Sequence, residues 1–513
     1  MKKKLLSILI VCILILNCVA CGRGRRDFEG NLYQDVDHNE EPTTITYLTI
    51  GNKPINRRTE AVIDRLNEIL ISKVNCKLDI LYIGWTDYLD NYNSLLSSGR
   101  MDIDLVGTGS DWLDAWPNAF NGNFMPLTTD MLQSFCPRTF VNVSKEEWNK
   151  CSYGGDIYFI PENEYTQWTN HGFIYRSDVA KAAGLDEIEN WNDLDKYVGF
   201  VAKERPDMEV WYVDGSNTTI TLGYITSIAK YYPIYELSTY GLWGAKSSDM
   251  DKIVSPFYEG QELIDFARLM KKWDSEGVWD TAMVQPVDNT SEFYNGISAL
   301  EQHHTQQYYT EVRPQMQIRQ PGSDVKFFWF GEETGTVCRD SILHGAMAVY
   351  SRSKNPEKAL MVYDILRNDP ECYKLIRYGE EGIQYELTGG GMLQKPSGYN
   401  FERDSIVTNY WWGRRDALEI PDASCAWNEY YQLIDEYDHV AIDYPWDGIA
   451  FATPEITGKL EPILKICAKY IPEITYAQYE CTPEEEVAQF RAELREAGFE
   501  DITRELQRIL NTY

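Results

Sequence analysis

Two loops of this 513-residue chain combine aromatic rings with carboxylates, a pairing suited to holding a polar ligand. The first loop carries Trp85, Asp87 and Tyr88, and the second carries Asp111 and Trp112. A flat ring can cover the apolar face of a ligand such as a sugar, while a carboxylate or a phenol hydroxyl hydrogen-bonds its polar groups. These five side chains are therefore predicted to bind the ligand.

Later stretches of the chain add candidates of the same chemical types. The further candidate ligand-binding residues are Glu164, Tyr165, Trp168, His304, Trp411 and Trp412. The two adjacent tryptophans are equally compatible with binding and with packing, and we expect them to divide these roles. For any one aromatic residue in the stretch after residue 161, packing at a hinge is as good an interpretation as binding.

The sequence marks no catalytic residue and no metal site. Adjacent His303 and His304 could suggest a metal, but no third ligand follows at a helical spacing, so contact with a polar ligand or solvent is expected instead. Glu380 and Glu381 would point opposite ways on a strand, whereas a glycosidase holds two carboxyl groups roughly 5 to 10 Å apart. We predict no catalysis, no metal and no cofactor.

Strand–helix–strand units position the two opening loops. Apolar runs predict strands over 43–50, 77–83 and 101–106, and helix-period stretches over 57–74 and 89–98 lie between them. Such units build parallel sheets. Open α/β sheets bind ligands at the carboxyl ends of their strands, where both loops lie. The predicted fold class is α/β.

Composition limits the partners and the number of domains. The chain has 48 Lys and Arg against 79 Asp and Glu, a formal net charge of −31. Because binding to nucleic-acid phosphates depends on basic side chains, no nucleic-acid partner is expected. The length predicts two or three domains. The cysteines after residue 21 are scattered and show no zinc-site spacing. Few or no disulfides are expected among them.

Residues 1–21 have the pattern of an export signal. Lysines at positions 2–4 precede an apolar run over 5–16 that is too short to span a bilayer, and small residues follow it. The sequence CVACG at 18–22 resembles a bacterial lipobox, with Cys21 as the lipidated residue, and a plain secretory signal is the alternative. Residues 22–42 are polar and acidic without periodicity, which indicates a flexible tether.

Several motifs, taken in order, resemble one protein family. The first is "GW-x-DY…N-x-LLSSG…DIDLV" between residues 84 and 106. The others are GGDIYFIP at 154–161, GFIYRSD at 172–178, FYNGISAL at 293–300, SKNPEKA at 353–359 and YGEEGIQY at 378–385. In this order they resemble the extracellular solute-binding lipoproteins of bacterial ABC importers, and in particular the LplA-like carbohydrate-binding branch with its C-terminal helical module.

The resemblance implies a two-lobed α/β fold of the periplasmic-binding-protein type (type II), with crossing strands as a hinge and extra C-terminal helices. It implies a first lobe built from residues 43–161 and about 290–345. Residues 162–289 and about 346–435 would form the second lobe. Residues 436–513 would form a helical module packed on the lobes.

The same resemblance implies that the protein captures an oligosaccharide in a cleft between the lobes and delivers it to an ABC transporter permease. It implies a monomer on the extracellular face of the membrane, held there only by a lipid anchor. The alternatives are a binding protein for a peptide or an amine and, less favoured by the sequence, an exported glycoside hydrolase.

Overall fold

The structure is a computed structural model, and it describes residues 32–33, 36–164, 168, 170–213, 215, 217–279 and 289–513. The described strands form two main sheets, and helices pack on each of them in a two-lobed α/β arrangement. The strands of the first-lobe sheet are, in spatial order, Cys76–Ile83, Thr43–Ile50, Leu105–Thr108, Ala346–Val349 and Ile160–Pro161. The predicted fold class is confirmed.

The predicted strand–helix–strand units build the parallel part of this sheet. Thr43–Ile50 pairs in parallel with Cys76–Ile83 along its whole length and with Leu105–Thr108 on its other side. Arg58–Val74 and Tyr88–Ser98 are the helices between these strands. Because the strands run in parallel, the loops that follow residues 83 and 108 lie at the same edge of the sheet.

Shorter helices complete the first lobe. Lys145–Lys150 begins at a capping box in which Ser144 and Glu147 each satisfy the other's backbone N–H group. The other helices of this lobe are Ala115–Phe120, Thr129–Phe135, Pro137–Asn142, Phe401–Asp404, Pro356–Asn368 and Pro370–Tyr378. Proline in the first turn of the last two suits helix starts, because the backbone N–H that proline lacks would have no partner there.

The second lobe is built on a smaller, largely antiparallel sheet. Its strands are, in spatial order, Val325–Trp329, His171–Arg176, Ser298–His304 and Glu209–Trp211. A separate three-stranded sheet contains Asp249–Val254, Gly244–Lys246 and Tyr231–Pro233. The helices are Ser177–Ala182, Trp191–Glu204, Thr219–Ala229, Glu262–Ser275, Asn289–Tyr294, Thr305–Gln307 and Arg313–Arg319, with a π-helical turn at Tyr308–Val312.

Sheet pairing corrects the predicted lobe boundaries. Ser298–His304 pairs with His171–Arg176, which assigns the segment around it to the second lobe. Ala346–Val349 pairs with Leu105–Thr108, which returns the chain to the first lobe. The predicted assignment of 290–345 and about 346–435 was therefore wrong, with the two segments interchanged. An apolar strand pattern predicts a strand, but it does not specify which sheet that strand joins.

C-terminal helices pack against the second lobe. They are Trp427–Val440, Pro454–Thr475, Pro483–Glu496 and Phe499–Leu510. The Trp243 indole donates to the Thr503 hydroxyl at 2.9 Å, which joins the last helix to the residue before the strand Gly244–Lys246 of the three-stranded sheet. The predicted boundary at residue 436 is wrong because it lies inside the first of these helices. None of the helices in the described parts combines the length and apolar character needed to cross a bilayer.

The described part of the predicted tether is attached to the first lobe. The Tyr33 hydroxyl donates to Asp364 at 2.7 Å and accepts from Arg138 at 2.9 Å. The Asn75 amide donates to the backbone carbonyl of Asp37 at 2.8 Å. The prediction of a flexible tether over 22–42 is thus wrong for these residues. The signal segment 1–21, with Cys21, lies outside the described residues.

Candidate functional site

A cavity of about 880 Å³ lies between the two lobes, and both the end of the first-lobe segment at Glu162 and the stretch from Phe330 to His344 line it. That volume is within the range of about 300–1,000 Å³ that is usual for small-molecule sites. From the first lobe it is lined by Trp85, Asp111, Trp112, Glu162, His344 and Trp411. From the second lobe it is lined by His171, Thr219, His303, His304, Gln306 and Gln307.

Trp85, Trp411 and Trp112 form one wall of the cavity, called here the tryptophan wall. The rings of Trp85 and Trp411 stack with centroids 6.0 Å apart and an angle of 28° between their planes. Trp85 is 47% exposed and Trp411 is 36% exposed, unusually high for tryptophan. The wall therefore presents large apolar ring faces to whatever enters the cavity.

Trp412 lies behind this wall. It is completely buried and stacks on Trp112, with ring centroids 6.1 Å apart and planes only 10° from parallel. Gly107 permits this packing, because a Cβ atom there would lie 2.4 Å from the Trp412 ring. Trp412 was predicted as a ligand-binding residue, and its burial corrects that prediction: Trp411 reaches the cavity and Trp412 supports Trp112.

Asp111 and His344 form an ion pair on the first-lobe side of the cavity. The Nδ1 atom of His344 lies 2.8 Å from an oxygen of Asp111. Burial lowers the pKa of His344, but the charge of Asp111 and its hydrogen bond outweigh burial and raise the pKa to about 9. His344 is therefore an imidazolium at neutral pH, and its attraction to Asp111 holds both side chains in place at the cavity surface.

This pair predicts a pH-dependent stability. The pKa of His344 is about 9 in the folded protein against an ordinary 6.5, so the pair stabilises the fold fully below pH 6.5 and loses that effect as pH rises through 9. Asp111→Asn should lower the free energy of unfolding at pH 6 by on the order of 3 kcal/mol. Urea unfolding from pH 6 to pH 10 measures this, and a difference that stays constant with pH would contradict it.

Glu162 is a second carboxyl group on the first-lobe side of the cavity. Burial is the largest influence on it and raises its pKa to about 7, although Arg377 and Arg414 act in the opposite direction. Arg377 and Arg414 line the cavity as well. The Glu162 carboxyl is thus near its point of half-protonation at neutral pH and can either donate or accept a hydrogen bond.

Two residues predicted to bind the ligand have structural roles instead. Trp168 is only 4% exposed and packs on Tyr437 with ring centroids 4.8 Å apart, so its ring is covered by protein. Glu164 forms an ion pair with Arg415 and accepts the backbone N–H of Asp416 at 2.9 Å. Both predictions are therefore corrected, because the Trp168 ring and the Glu164 carboxylate already contact other groups of the protein. Tyr165 lies outside the described residues.

Asp87 and Tyr88 lie beside the cavity without lining it. Asp87 is exposed and begins the helix Tyr88–Ser98 with a positive φ of 49°. The Tyr88 ring contacts Trp85 and Trp112, with centroids 5.8 and 6.2 Å away, so it braces the tryptophan wall. Of the first predicted loop, only Trp85 reaches the cavity.

Several cavity residues were missed by the sequence analysis. Glu162, His344 and Arg377 come from separate segments, and nothing in their neighbouring sequence distinguishes them from surface charges. His171 belongs to the same sequence cluster as Glu164, Tyr165 and Trp168, but it was not among the residues predicted to bind the ligand. Its position immediately before the predicted strand at 172–178 was the available signal for it.

Comparison with known proteins decides the family. A family model described as bacterial extracellular solute-binding protein matches residues 61–364, which is more than half of the chain. The chain belongs to the bacterial extracellular solute-binding protein family. A domain of unknown function, DUF3502, matches residues 445–513 and so covers most of the C-terminal helices. The resemblance predicted from the motifs is confirmed.

This solute-binding protein is similar to a carbohydrate ABC transporter substrate-binding protein of Streptococcus pneumoniae serotype 4, with 34% identity over 411 residues, 76% of this chain and 74% of the relative. The N-glycan transport solute binding protein NgtS of Streptococcus pneumoniae, solved with Man1GlcNAc, matches with a TM-score of 0.66 at 16% identity, covering 92% of this chain and 99% of that one. An HMO-binding solute-binding protein of Bifidobacterium longum infantis matches with a TM-score of 0.64 at 14% identity, with the same coverage. These two structures establish the shared two-lobed fold.

Proposed function

We propose that this solute-binding protein captures an oligosaccharide in the cleft between its lobes and delivers it to the permease of an ABC transporter. The tryptophan wall carries this proposal. Trp85 and Trp411 hold two large ring faces open to the cavity. The C–H faces of a pyranose ring can bury against such surfaces while the sugar's hydroxyl groups remain free to hydrogen-bond.

Polar groups for those hydroxyls come from both lobes. The Asp111–His344 pair and Glu162 lie on the first-lobe side, and Thr219 and Gln306 lie on the second-lobe side. A ligand that contacts both walls binds the closed form more tightly than an open one, and it favours closure by that difference in affinity. The closed form would then be the one that docks on the permease.

The relatives support an oligosaccharide over a peptide or an amine. The Streptococcus relative is named for carbohydrate transport, and the two solved structures are named for N-glycan transport and for HMO binding. An amine would be bound best by a carboxylate without a partner, and among the cavity carboxyl groups Asp111 is already paired with His344. A peptide or an amine remains the alternative ligand, and a binding screen distinguishes it from an oligosaccharide.

Attachment outside the cell by a lipid on Cys21 is part of the proposal, as is a monomeric state. The motif at 18–22 supports the anchor. Replacing Cys21 by serine should move the protein from the membrane fraction to the culture medium. A variant that stays with the membrane would contradict lipidation at this residue.

A binding screen tests the proposed function. The chain from residue 22 onward would be tested by thermal shift and calorimetry against oligosaccharides, peptides and amines. A ligand at a hundredfold excess over its dissociation constant should stabilise the protein by about 2.7 kcal/mol. Stabilisation by one class of oligosaccharide supports the proposal. Stabilisation only by peptides or amines would assign the ligand to that class instead. A screen in which no oligosaccharide stabilises the protein would overturn the proposal.

A glycoside hydrolase is the second candidate, because the raised pKa of Glu162 is the property that a glycosidase acid requires. Such an enzyme also needs a second carboxylate for its nucleophile or base, and Asp111 is held by His344. We expect a bound oligosaccharide to be recovered intact by chromatography after prolonged incubation. Release of shorter products would favour the hydrolase.

A further inference from the structure

Three histidines on the second-lobe side of the cavity form what we call the histidine cluster. His171, His303 and His304 all line the cavity, and their ring centroids are 4.4 to 6.2 Å apart. His171 and His304 lie opposite each other in an antiparallel strand pair. What such rings can bind depends on which nitrogen carries the proton.

Backbone groups fix the proton on two of these rings. The backbone N–H of His304 donates to Nδ1 of His303 at 2.9 Å. The backbone N–H of Gln307 donates to Nδ1 of His304 at 3.2 Å. A backbone N–H can only donate, so each Nδ1 must be the accepting nitrogen, and the proton of each neutral ring must be on Nε2.

A relay of two amides fixes the third ring in the same way. The backbone N–H of Thr219 donates to the side-chain oxygen of Asn217 at 3.0 Å, which settles the orientation of that amide. The Asn217 nitrogen then donates to the oxygen of Gln302 at 2.7 Å. The Gln302 nitrogen is left facing Nδ1 of His171 at 2.7 Å. Nδ1 of His171 therefore accepts, and its proton is on Nε2 as well.

All three rings are neutral at physiological pH. Burial lowers the pKa of His171 to about 3 and that of His303 to about 4. Burial lowers the pKa of His304 well below its ordinary value, and the neighbouring histidines lower it further. The cluster thus offers three Nε2–H donors, and its three accepting nitrogens are already occupied.

We propose that the histidine cluster selects oligosaccharides that carry an oxygen able to accept but not to donate a hydrogen bond, either the carbonyl of an acetamido group or the carboxylate of a uronic acid. This inference deepens the proposed function and rests on it. His171, His303 and His304 are accordingly specificity-determining residues of the cleft.

The selection follows from whether the proton of a ligand hydroxyl finds a hydrogen-bond acceptor at the histidine cluster. A carbonyl or carboxylate oxygen accepts from the imidazole N–H groups and has no proton of its own to satisfy. A sugar hydroxyl at the same place can accept as well, but the rings offer its proton no acceptor, and a buried unsatisfied donor weakens binding. One such loss corresponds to a preference of about tenfold or more for the acceptor-only group.

Nitrogen-15 NMR of the histidine-labelled protein tests the proton positions directly. At pH 7, His171, His303 and His304 should each show a protonated Nε2 and an unprotonated Nδ1. Gln302→Met removes the donor to His171 without touching the cavity lining, and it should let the proton of that ring redistribute between the two nitrogens. Protonation on Nδ1, or a charged ring, in the unmodified protein would overturn the inference.

Binding of linkage-matched trisaccharides tests the selection itself. Cellotriose, triacetylchitotriose and a β-1,4-linked trimannuronate differ in offering hydroxyl, acetamido and carboxylate groups. We expect the acetamido or the uronate ligand to bind at least tenfold more tightly than cellotriose, and the comparison between them identifies the group. Gln302→Met should reduce that preference in a protein that remains folded, although the loss of two buried hydrogen bonds should lower its thermal stability. Gln320→Met, which breaks bonds to the carbonyls of Phe293 and Tyr294 outside the cavity, should leave the preference intact.

The outcomes separate this inference from the function on which it rests. Equal or tighter binding of a hydroxyl-only oligosaccharide, in this set or in the wider screen, would overturn the selection by histidines and leave oligosaccharide capture standing. No response to any oligosaccharide would overturn both.

Discussion

Replacing Trp411 by alanine is expected to weaken oligosaccharide binding by on the order of 30-fold or more, the effect of losing a residue worth about 2 kcal/mol at the centre of an interface. Trp411 stacks on Trp85 and contacts Trp112, with ring centroids 6.0 and 6.3 Å away. The substitution removes one ring face and leaves its two neighbours without lateral support. Isothermal calorimetry with the tightest oligosaccharide from the screen measures the change.

Controls separate lost binding from lost folding. Tyr431 is 64% exposed on the helix Trp427–Val440 and does not line the cavity, so Tyr431→Ala should bind as the unmodified protein does. Trp168→Ala should lower thermal stability, because it empties a buried site. An unchanged dissociation constant in Trp411→Ala would show that the tryptophan wall does not contact the ligand.

The half of the site that the sequence could predict follows from local rules. The rule that parallel strands end at a common edge brings Trp85, Asp111 and Trp112 together, and the structure places all three on the cavity. The run at 410–415 suggested one tryptophan for the cavity and one for packing, on the basis of its aromatic density and of the family resemblance. Local pattern was enough because these loops directly follow strands whose pairing is itself local.

The other half depends on long-range pairing that single segments do not encode. Trp168 and Glu164 have suitable side chains, yet Tyr437 and Arg415, each about 250 or more residues away in sequence, cover or pair them. The same ambiguity interchanged the lobe assignments of 290–345 and 346–435. The histidine cluster required the pairing of 171–176 with 298–304 before three separate residues could be placed together.

Asp364→Ala is expected to lower the free energy of unfolding by about 3–5 kcal/mol, the range measured when one partner of a buried ion pair is removed. Asp364 is completely buried on the helix Pro356–Asn368. Its carboxylate accepts from Arg138 at 3.1 Å, from the Thr139 backbone N–H at 2.7 Å and from the Tyr33 hydroxyl at 2.7 Å. Alanine would leave a guanidinium and two neutral donors without their acceptor.

Asp102 supplies the matched control for Asp364 in the same lobe. It pairs with Lys354 at 2.7 Å, but its side chain is 85% exposed, so Asp102→Ala should cost less than about 1 kcal/mol. Urea unfolding of both variants gives the two free energies, and a similar cost for both would contradict the role assigned to Asp364. Tyr33→Phe removes only the hydroxyl that joins the N-terminal segment to this carboxylate, so it should cost less than Asp364→Ala. The hydrogen bonds among Tyr33, Arg138 and Asp364 therefore hold the N-terminal segment against the first lobe. The composition of that segment predicts a flexible tether, but it does not show that one of its side chains bonds a buried carboxylate.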